Sequence, residues 1–238
     1  MSLPKEKIYL GYENSCEFQD ICRLYPPLVG DIVKIGYDEF RYYRSLLTTS
    51  RDEIADLCVK QHIEEIPTPL QYLIILAQNE DILKIIEKAF QFFIHDKVYI
   101  LDDYIVIGNI LEKHLLTEQN FEDFQNCIRE LIGDKPLEKE EADMDPRLAR
   151  MKAKQRERDR IKAKQSQSKV NYEFSTLMLA TCCLGVGVTI WNIKDLPYAA
   201  MMKINELMAN KDKYETDVAS LIAGADSKQI NLEYWVKD

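Results

Sequence analysis

Apolar residues recur along most of this sequence at the three- and four-residue spacing that amphipathic helices require. The first stripe covers residues 32–47, and Asp31 just before it is the predicted N-cap. Ser50 and Glu53 stand three residues apart in the order of a capping box, which predicts the start of another helix. Further stripes over 70–93 predict that most of the N-terminal part is helical.

The pattern changes to the period of β-strands in the middle of the chain. Two β-branched and aromatic runs, 98–101 and 104–107, flank Asp102-Asp103, and this order predicts a hairpin. A short strand is also predicted at 8–10. The helical period then returns in a segment that Asn120 is predicted to cap.

The C-terminal part predicts three helices. The first begins near Phe174 and ends at Gly185, where glycine punctuates the apolar pattern. The second has Asp195 as its predicted N-cap, and the third is a separate helix over 211–223.

Changes of composition divide the chain into three parts. Residues 1–133 are predicted to form an N-terminal α+β domain. Residues 134–169 begin as an acidic linker with two prolines and continue as a basic helix that is polar nearly all round, a pattern typical of an exposed helix. Residues 170–238 are predicted to form a C-terminal helical domain. The predicted fold class is therefore α+β, predominantly α-helical, with a small β-hairpin.

Charge is unevenly distributed. The 238 residues contain 31 basic and 40 acidic side chains, a formal net charge of −9. Nine of the basic residues lie between Arg147 and Lys164 beside only two acidic ones, so this segment carries +7 and the remainder −16. Such a segment serves as a docking element for an acidic protein, as a solvated link between acidic domains, or as a phosphate-binding element. No aromatic residues are interleaved to stack on bases, so nucleic acid is the least favoured partner.

No motif in the sequence indicates an active site. His62, His95 and His114 lie far apart and belong to no metal-binding or acid–base motif. No glycine-rich phosphate loop or nucleophile elbow occurs, and the six cysteines form no Cys-x-x-Cys pair, which favours reduced and mostly buried thiols. We therefore expect no enzymatic activity, small-molecule substrate, cofactor or metal.

One segment raises the question of a membrane anchor. Residues 174–193 carry no charge and follow the basic segment, the order found in juxtamembrane anchors. Several polar residues and two glycines interrupt the run, and a buried helix followed by a turn explains it as well, so a membrane partner is disfavoured. The first residues contain no apolar signal core, and a cytoplasmic protein is expected.

Methionines are concentrated in the second half of the chain. Apart from Met1, all of them lie after the acidic linker begins. Flexible thioethers suit apolar surfaces that accept varied partner helices, and ordinary core packing is the alternative for each. We predict that a partner contacts the apolar residues of the C-terminal part together with the basic helix. The predicted contacts are Met178, Trp191, Tyr198, Met201, Met202 and Trp235, with Arg156, Arg158, Arg160 and Lys162.

Several stretches, spread over most of the chain, resemble the tail assembly chaperones of long-tailed bacteriophages. They are YPPLVGDIVKIG at 25–36, the hairpin region 92–108, NFEDF at 120–124, IWNIKDLPY at 190–198, LIAGA at 221–225 and INLEYW at 230–235. The strongest stretches lie at the C-terminus, after the charged helix.

The resemblance implies a non-enzymatic protein of the host cytoplasm that binds and solubilises the tape measure protein during tail morphogenesis. This client is long and helical, with apolar faces. Contacts with other tail proteins and with further copies of the chain are also expected. Such families often produce a short form and a frameshifted long form, and 134–146 would suit such a junction. The alternatives are a structural or adaptor protein of the phage particle, such as a head–tail or tail component, and a nucleic-acid-binding regulator that uses the basic helix.

Overall fold

The computed structural model of the chain describes residues 3–10, 15–63, 65–109, 114–137, 158, 173–185, 187–224, 232 and 234–236. Within these residues the chain is mostly helical and has two small antiparallel sheets, which confirms the predicted class. The helices are α1 (Lys5–Leu10), α2 (Val29–Ile35), α3 (Tyr37–Thr48), α4 (Arg51–Gln61), α5 (Pro69–Ala77), α6 (Glu80–Ile94), α7 (Glu118–Leu131), α8 (Phe174–Cys183) and α9 (Tyr198–Ile222). The strands are β1 (Cys16–Phe18), β2 (Cys22–Leu24), β3 (Val98–Ile100), β4 (Ile105–Ile107) and β5 (Leu115–Leu116), and a 3₁₀ turn covers Ile193–Asp195.

Both sheets are built from short hairpins. In the three-stranded sheet, β3 and β4 pair antiparallel with Val98 opposite Ile107, and this confirms the predicted hairpin. Strand β5 adds to the other side of β4. Strands β1 and β2 form the second sheet across a turn in which Gln19 and Asp20 have positive φ. The sequence pattern does not predict this second hairpin, because strands of three residues are too short for an alternation to be recognised.

Helix α4 begins at the predicted capping box. The backbone N–H of Glu53 donates to Ser50 Oγ at 3.3 Å, and the backbone N–H of Ser50 donates to Glu53 Oε2 at 2.8 Å. Two orphan donors of the first turn are thereby satisfied. Gly185 follows the C-cap of α8 with a φ of +68°, so the predicted end of that helix is confirmed as well.

Two predictions for the N-terminal part are wrong. Residues 8–10, predicted as a strand, belong to helix α1, because burial of Ile8 at 3% exposure outweighs the local β-propensity. Asp31, the predicted N-cap, lies inside the first turn of α2, whose N-cap is Leu28. The helix begins earlier than predicted because the backbone N–H groups of Asp31 and Ile32 both donate to the Leu28 carbonyl.

Two further cap predictions are wrong. Asn120 lies at the third position of α7, where its Oδ1 accepts from the backbone N–H of the true N-cap, Thr117, at 2.8 Å. Asp195 lies in the 3₁₀ turn, and α9 begins after Pro197 instead. The separate helix predicted over 211–223 is the second half of α9, which runs unbroken for 25 residues.

One hydrophobic core joins the N-terminal and C-terminal parts of the chain. The ring of Tyr37 on α3 stacks on Phe174 of α8, with centroids 4.5 Å apart and an interplanar angle of 2°. One turn further along α3, Phe40 meets Tyr198 edge to face at 5.0 Å. The sequence left open whether the two parts pack together, and these contacts show that they do.

Candidate partner-binding surface

The residues predicted to contact a partner lie in different environments. Trp191 is 81% exposed, in the segment between α8 and the 3₁₀ turn. Met178 on α8 and Met202 on α9 are half-buried and pack against the edge of the core. Arg158 is helical and exposed. The other three basic residues, Arg156, Arg160 and Lys162, lie outside the described residues.

Tyr198 and Met201, both predicted as partner contacts, are core residues. Their exposures are 2% and 0%, because the first turn of α9 inserts against α3 and α8. The Tyr198 hydroxyl lies 3.4 Å from the Tyr37 hydroxyl, and burial raises the pKa of Tyr198 far above its usual range. Neither side chain presents a surface to a partner, and both pack the core of the protein instead.

Trp235 is half-buried in the C-terminal tail. Its ring centroid lies 5.9 Å from that of Tyr234, which in turn meets Tyr214 of α9 edge to face at 5.7 Å. These ring contacts hold the described part of the tail on the second half of α9. Trp235 therefore packs against another part of the same chain, while Tyr234 remains 62% exposed.

Residues 187–192, here called the exposed loop, present Ile190 and Trp191 to solvent, with exposures of 62% and 81%. Their backbone is held by the Asn192 side chain. Its Nδ2 donates to the Gly187 carbonyl at 3.0 Å, and its Oδ1 accepts from the backbone N–H of Thr189 at 2.6 Å. Thr189 Oγ1 also accepts from the backbone N–H of Trp191 at 3.3 Å. The two large apolar side chains therefore project from a loop whose conformation is already fixed.

The exposed loop rests on the N-terminal part through the residues that come after it. An ideal Cβ on Gly30 of α2 would lie 2.8 Å from the Lys194 carbonyl oxygen, so only glycine permits this approach. The backbone N–H of Val29 donates to the Leu196 carbonyl at 2.9 Å. Helix α2 thus supports the 3₁₀ turn directly behind the exposed loop.

A groove of about 720 Å³ adjoins these contacts, because Leu28 and Pro197 beside them both line it. Its lining is mainly apolar and comes from α2, α3, α6 and the segments that precede α2 and α9. The lining residues are Tyr25, Pro26, Pro27, Leu28, Asp31, Lys34, Ile35, Glu39, Tyr43, Lys88, Gln91, Phe92, His95 and Pro197. We call it the proline groove. No sequence pattern identified it, although the stretches 25–36 and 190–198, which both line it, carry part of the resemblance to the chaperone family.

The walls of the proline groove are fixed by main-chain hydrogen bonds. The backbone N–H of Tyr25 donates to the Phe93 carbonyl at 2.8 Å, and the backbone N–H of Tyr198 donates to the Pro27 carbonyl at 2.8 Å. The ring of Tyr25 stacks on His95 with centroids 4.0 Å apart. The groove is therefore preformed, as small binding sites usually are.

Two of the four charged side chains of the proline groove pair with each other. Lys34 Nζ lies 2.8 Å from Asp31 Oδ1. Burial, followed by a hydrogen bond with Glu39, raises the pKa of Tyr43 to about 12. Lys88 on α6 is exposed, and none of the described residues forms an ion pair with it.

Two of the three histidines have structural roles as helix caps. His62 and His95 end α4 and α6 in left-handed conformations. Among the residues that the structure describes, no three metal-ligating side chains come together. None of the described helices is both long and apolar enough to cross a membrane.

Comparison with known proteins adds no relative to this picture. No family model matches the sequence, and no curated protein and no solved structure matches the chain.

Proposed function

We propose that this protein is a non-enzymatic tail assembly chaperone, which binds and solubilises a phage tape measure protein while the tail is built. The resemblance in sequence supplies the identity of the client. The observation that carries the proposal is the exposed loop, in which Trp191 is 81% exposed on a backbone fixed by hydrogen bonds.

An exposed tryptophan contributes binding free energy when a partner covers it. Burial of apolar surface is worth roughly 25 cal/mol per Å², and tryptophan is among the residues most enriched at binding hot spots. A loop that already holds its binding conformation loses little further entropy on association. Ile190 beside Trp191 enlarges the apolar contact, so an apolar face of a helical client suits this surface.

The test is co-expression with the tape measure protein of the same phage. We expect the client to be soluble with the wild-type chain and to aggregate without it. Trp191→Ser should weaken binding by about 30-fold or more, the loss typical of a hot-spot residue, and return the client to the insoluble fraction. Tyr104→Ser removes a 37% exposed aromatic from the β3–β4 turn and is the matched control, which should leave client solubility unchanged. Equal client solubility with and without the wild-type chain would refute the proposal.

A second measurement separates a chaperone from a component of the particle. A chaperone leaves before the tail is complete, so mass spectrometry of purified virions should not detect this chain. Its detection in stoichiometric amount would instead make it a structural or adaptor protein of the phage particle.

A further inference from the structure

We propose that the proline groove is a second client-binding site, which takes an amphipathic helix that carries an acidic residue beside its apolar anchors, and that Lys88 recognises this acidic residue. The inference rests on the proposed function, because it takes the partner of the groove to be a helix of the same client. It adds a site and a specificity that the exposed loop does not provide.

The apolar part of the groove suits the anchor residues of a helix. Pro26, Pro27 and Pro197 provide flat, rigid walls from two distant parts of the sequence. Phe92 is half-buried beside them, and its ring centroid lies 5.9 Å from that of Phe40. A volume of about 720 Å³ lies in the range that pockets use to enclose a compact apolar group.

The wall formed by α6 has the geometry of a helix-binding surface. Lys88, Gln91 and Phe92 line the groove at i, i+3 and i+4 on this helix, and its C-cap His95 lines the groove just beyond them. Residues at these spacings form one stripe on a helix surface. A partner helix laid along this stripe would place its apolar residues against Phe92 and its flanking polar residues against Lys88.

The charge that remains in the groove decides which flanking residue fits. Asp31 is paired with Lys34, and Glu39 lies on α3, a different wall of the groove from Lys88 on α6. Lys88 on α6 is the lining cation for which the described part of the chain provides no partner. A carboxylate on the partner would pair with it, whereas a basic residue at the same place would meet a like charge.

The experiment uses two synthetic helical peptides of about 20 residues, a length long enough for a marginally stable helix. Both carry leucine and phenylalanine at i, i+3, i+4 and i+7, and they differ only in having glutamate or lysine beside these anchors. Fluorescence anisotropy measures their binding to the full chain. We expect the glutamate peptide to bind about fivefold more tightly, the upper range for an exposed ion pair, and the preference to shrink at high salt.

Variants locate the preference. Lys88→Glu should invert it, and Gln91→Glu, which adds a carboxylate at the exposed neighbouring position, should weaken it. Lys84→Glu is the matched control, because Lys84 lies one turn earlier on α6, outside the groove, beside Asp81 at 3.8 Å. Equal binding of the two peptides, or a preference that Lys88→Glu leaves unchanged, would overturn the inference.

The two proposals fail in different ways. If Trp191→Ser returns the client to the insoluble fraction while the peptide preference does not depend on Lys88, only the groove inference is lost. If the client is equally soluble with and without the wild-type chain, the proposed function is lost, whatever the peptides show.

Discussion

Replacement of Gly30 by alanine tests whether α2 supports the exposed loop. Gly30 lies in the first turn of α2, and a Cβ at this position would meet the Lys194 carbonyl oxygen at 2.8 Å and the Lys194 Cβ at 3.1 Å. The nearer contact is with backbone, which cannot rotate away. Gly30→Ala must therefore push the 3₁₀ turn from α2, although alanine is the better residue for a helix.

The opposing effects can be estimated separately. Alanine in place of glycine favours a helix by about 1 kcal/mol. Overpacking costs about 1–3 kcal/mol, and separation of the two segments also weakens the hydrogen bonds from Val29 to Leu196 and from Tyr198 to Pro27, each worth about 0.5–1.5 kcal/mol. The net loss of stability is then about 1–2 kcal/mol. For a chain of this size that lowers Tm by roughly 2–8 °C.

Differential scanning fluorimetry measures this shift. Val33→Ala is the matched control, because Val33 is 55% exposed on the same helix and its truncation should change stability by no more than about 0.5 kcal/mol. The same two variants are then tested for client solubility, which only Gly30→Ala should reduce. A Tm for Gly30→Ala equal to or above that of the wild type would show that α2 and the 3₁₀ turn do not approach as closely as described.

Two further predictions concern the exposed loop and the thiols of Cys22 and Cys127. Asn192→Ala removes the hydrogen bonds that fix the loop while Trp191 is retained, so client affinity should fall about threefold to tenfold with little change in Tm, and an unchanged affinity would argue against preorganisation. Burial raises the pKa values of Cys22 and Cys127 from 9.0 to about 12. The stability that a raised folded-state pKa contributes is fully present below the unfolded value and is lost as pH rises towards the folded value. The free energy of unfolding in urea should therefore decline as pH rises from about 9 towards 12, and a flat profile would contradict it.

The sequence predicted the features that depend on neighbouring residues. The capping box of Ser50 and Glu53 satisfies donors within a single turn, and the β3–β4 hairpin joins two runs separated by two aspartates. Patterns of this length are complete in the sequence itself. The exact helix starts were less well predicted, since the caps Leu28 and Thr117 each lie three residues before the predicted ones.

Such local patterns did not predict the polar residues that pack inside the protein. Gln125 of α7 is 1% exposed, and its Nε2 donates to the Thr49 carbonyl at 3.1 Å. Arg129, one turn later, donates to the Thr48 carbonyl. Both residues satisfy carbonyls at the end of α3, 76 and 81 positions away in the sequence. A glutamine and an arginine on a helix predict an exposed face, and only the position of α3 buries Gln125 and half-buries Arg129.

The sequence predicted only part of the candidate site, because the rest depends on where distant segments meet. Trp191 was predicted as a contact from its residue type, and the structure adds that its loop is fixed. Tyr198 was chosen by the same argument and is buried, because residue type alone does not distinguish an aromatic anchor from a core aromatic. The proline groove requires Pro27 and Pro197 to lie together, which no local pattern indicates.

Both proposed client-binding surfaces depend on the meeting of these two segments. Leu28 and Pro197 form an isolated β-bridge, so the wall of the groove and the support of the exposed loop belong to one contact. A shorter form that ended within 134–146 would lack both Trp191 and Pro197. It would also leave the face of Tyr37 and Phe40 without Phe174 and Tyr198. Such a form would therefore lack the exposed loop and one wall of the proline groove, and under the proposed function we expect it to bind the client at neither surface.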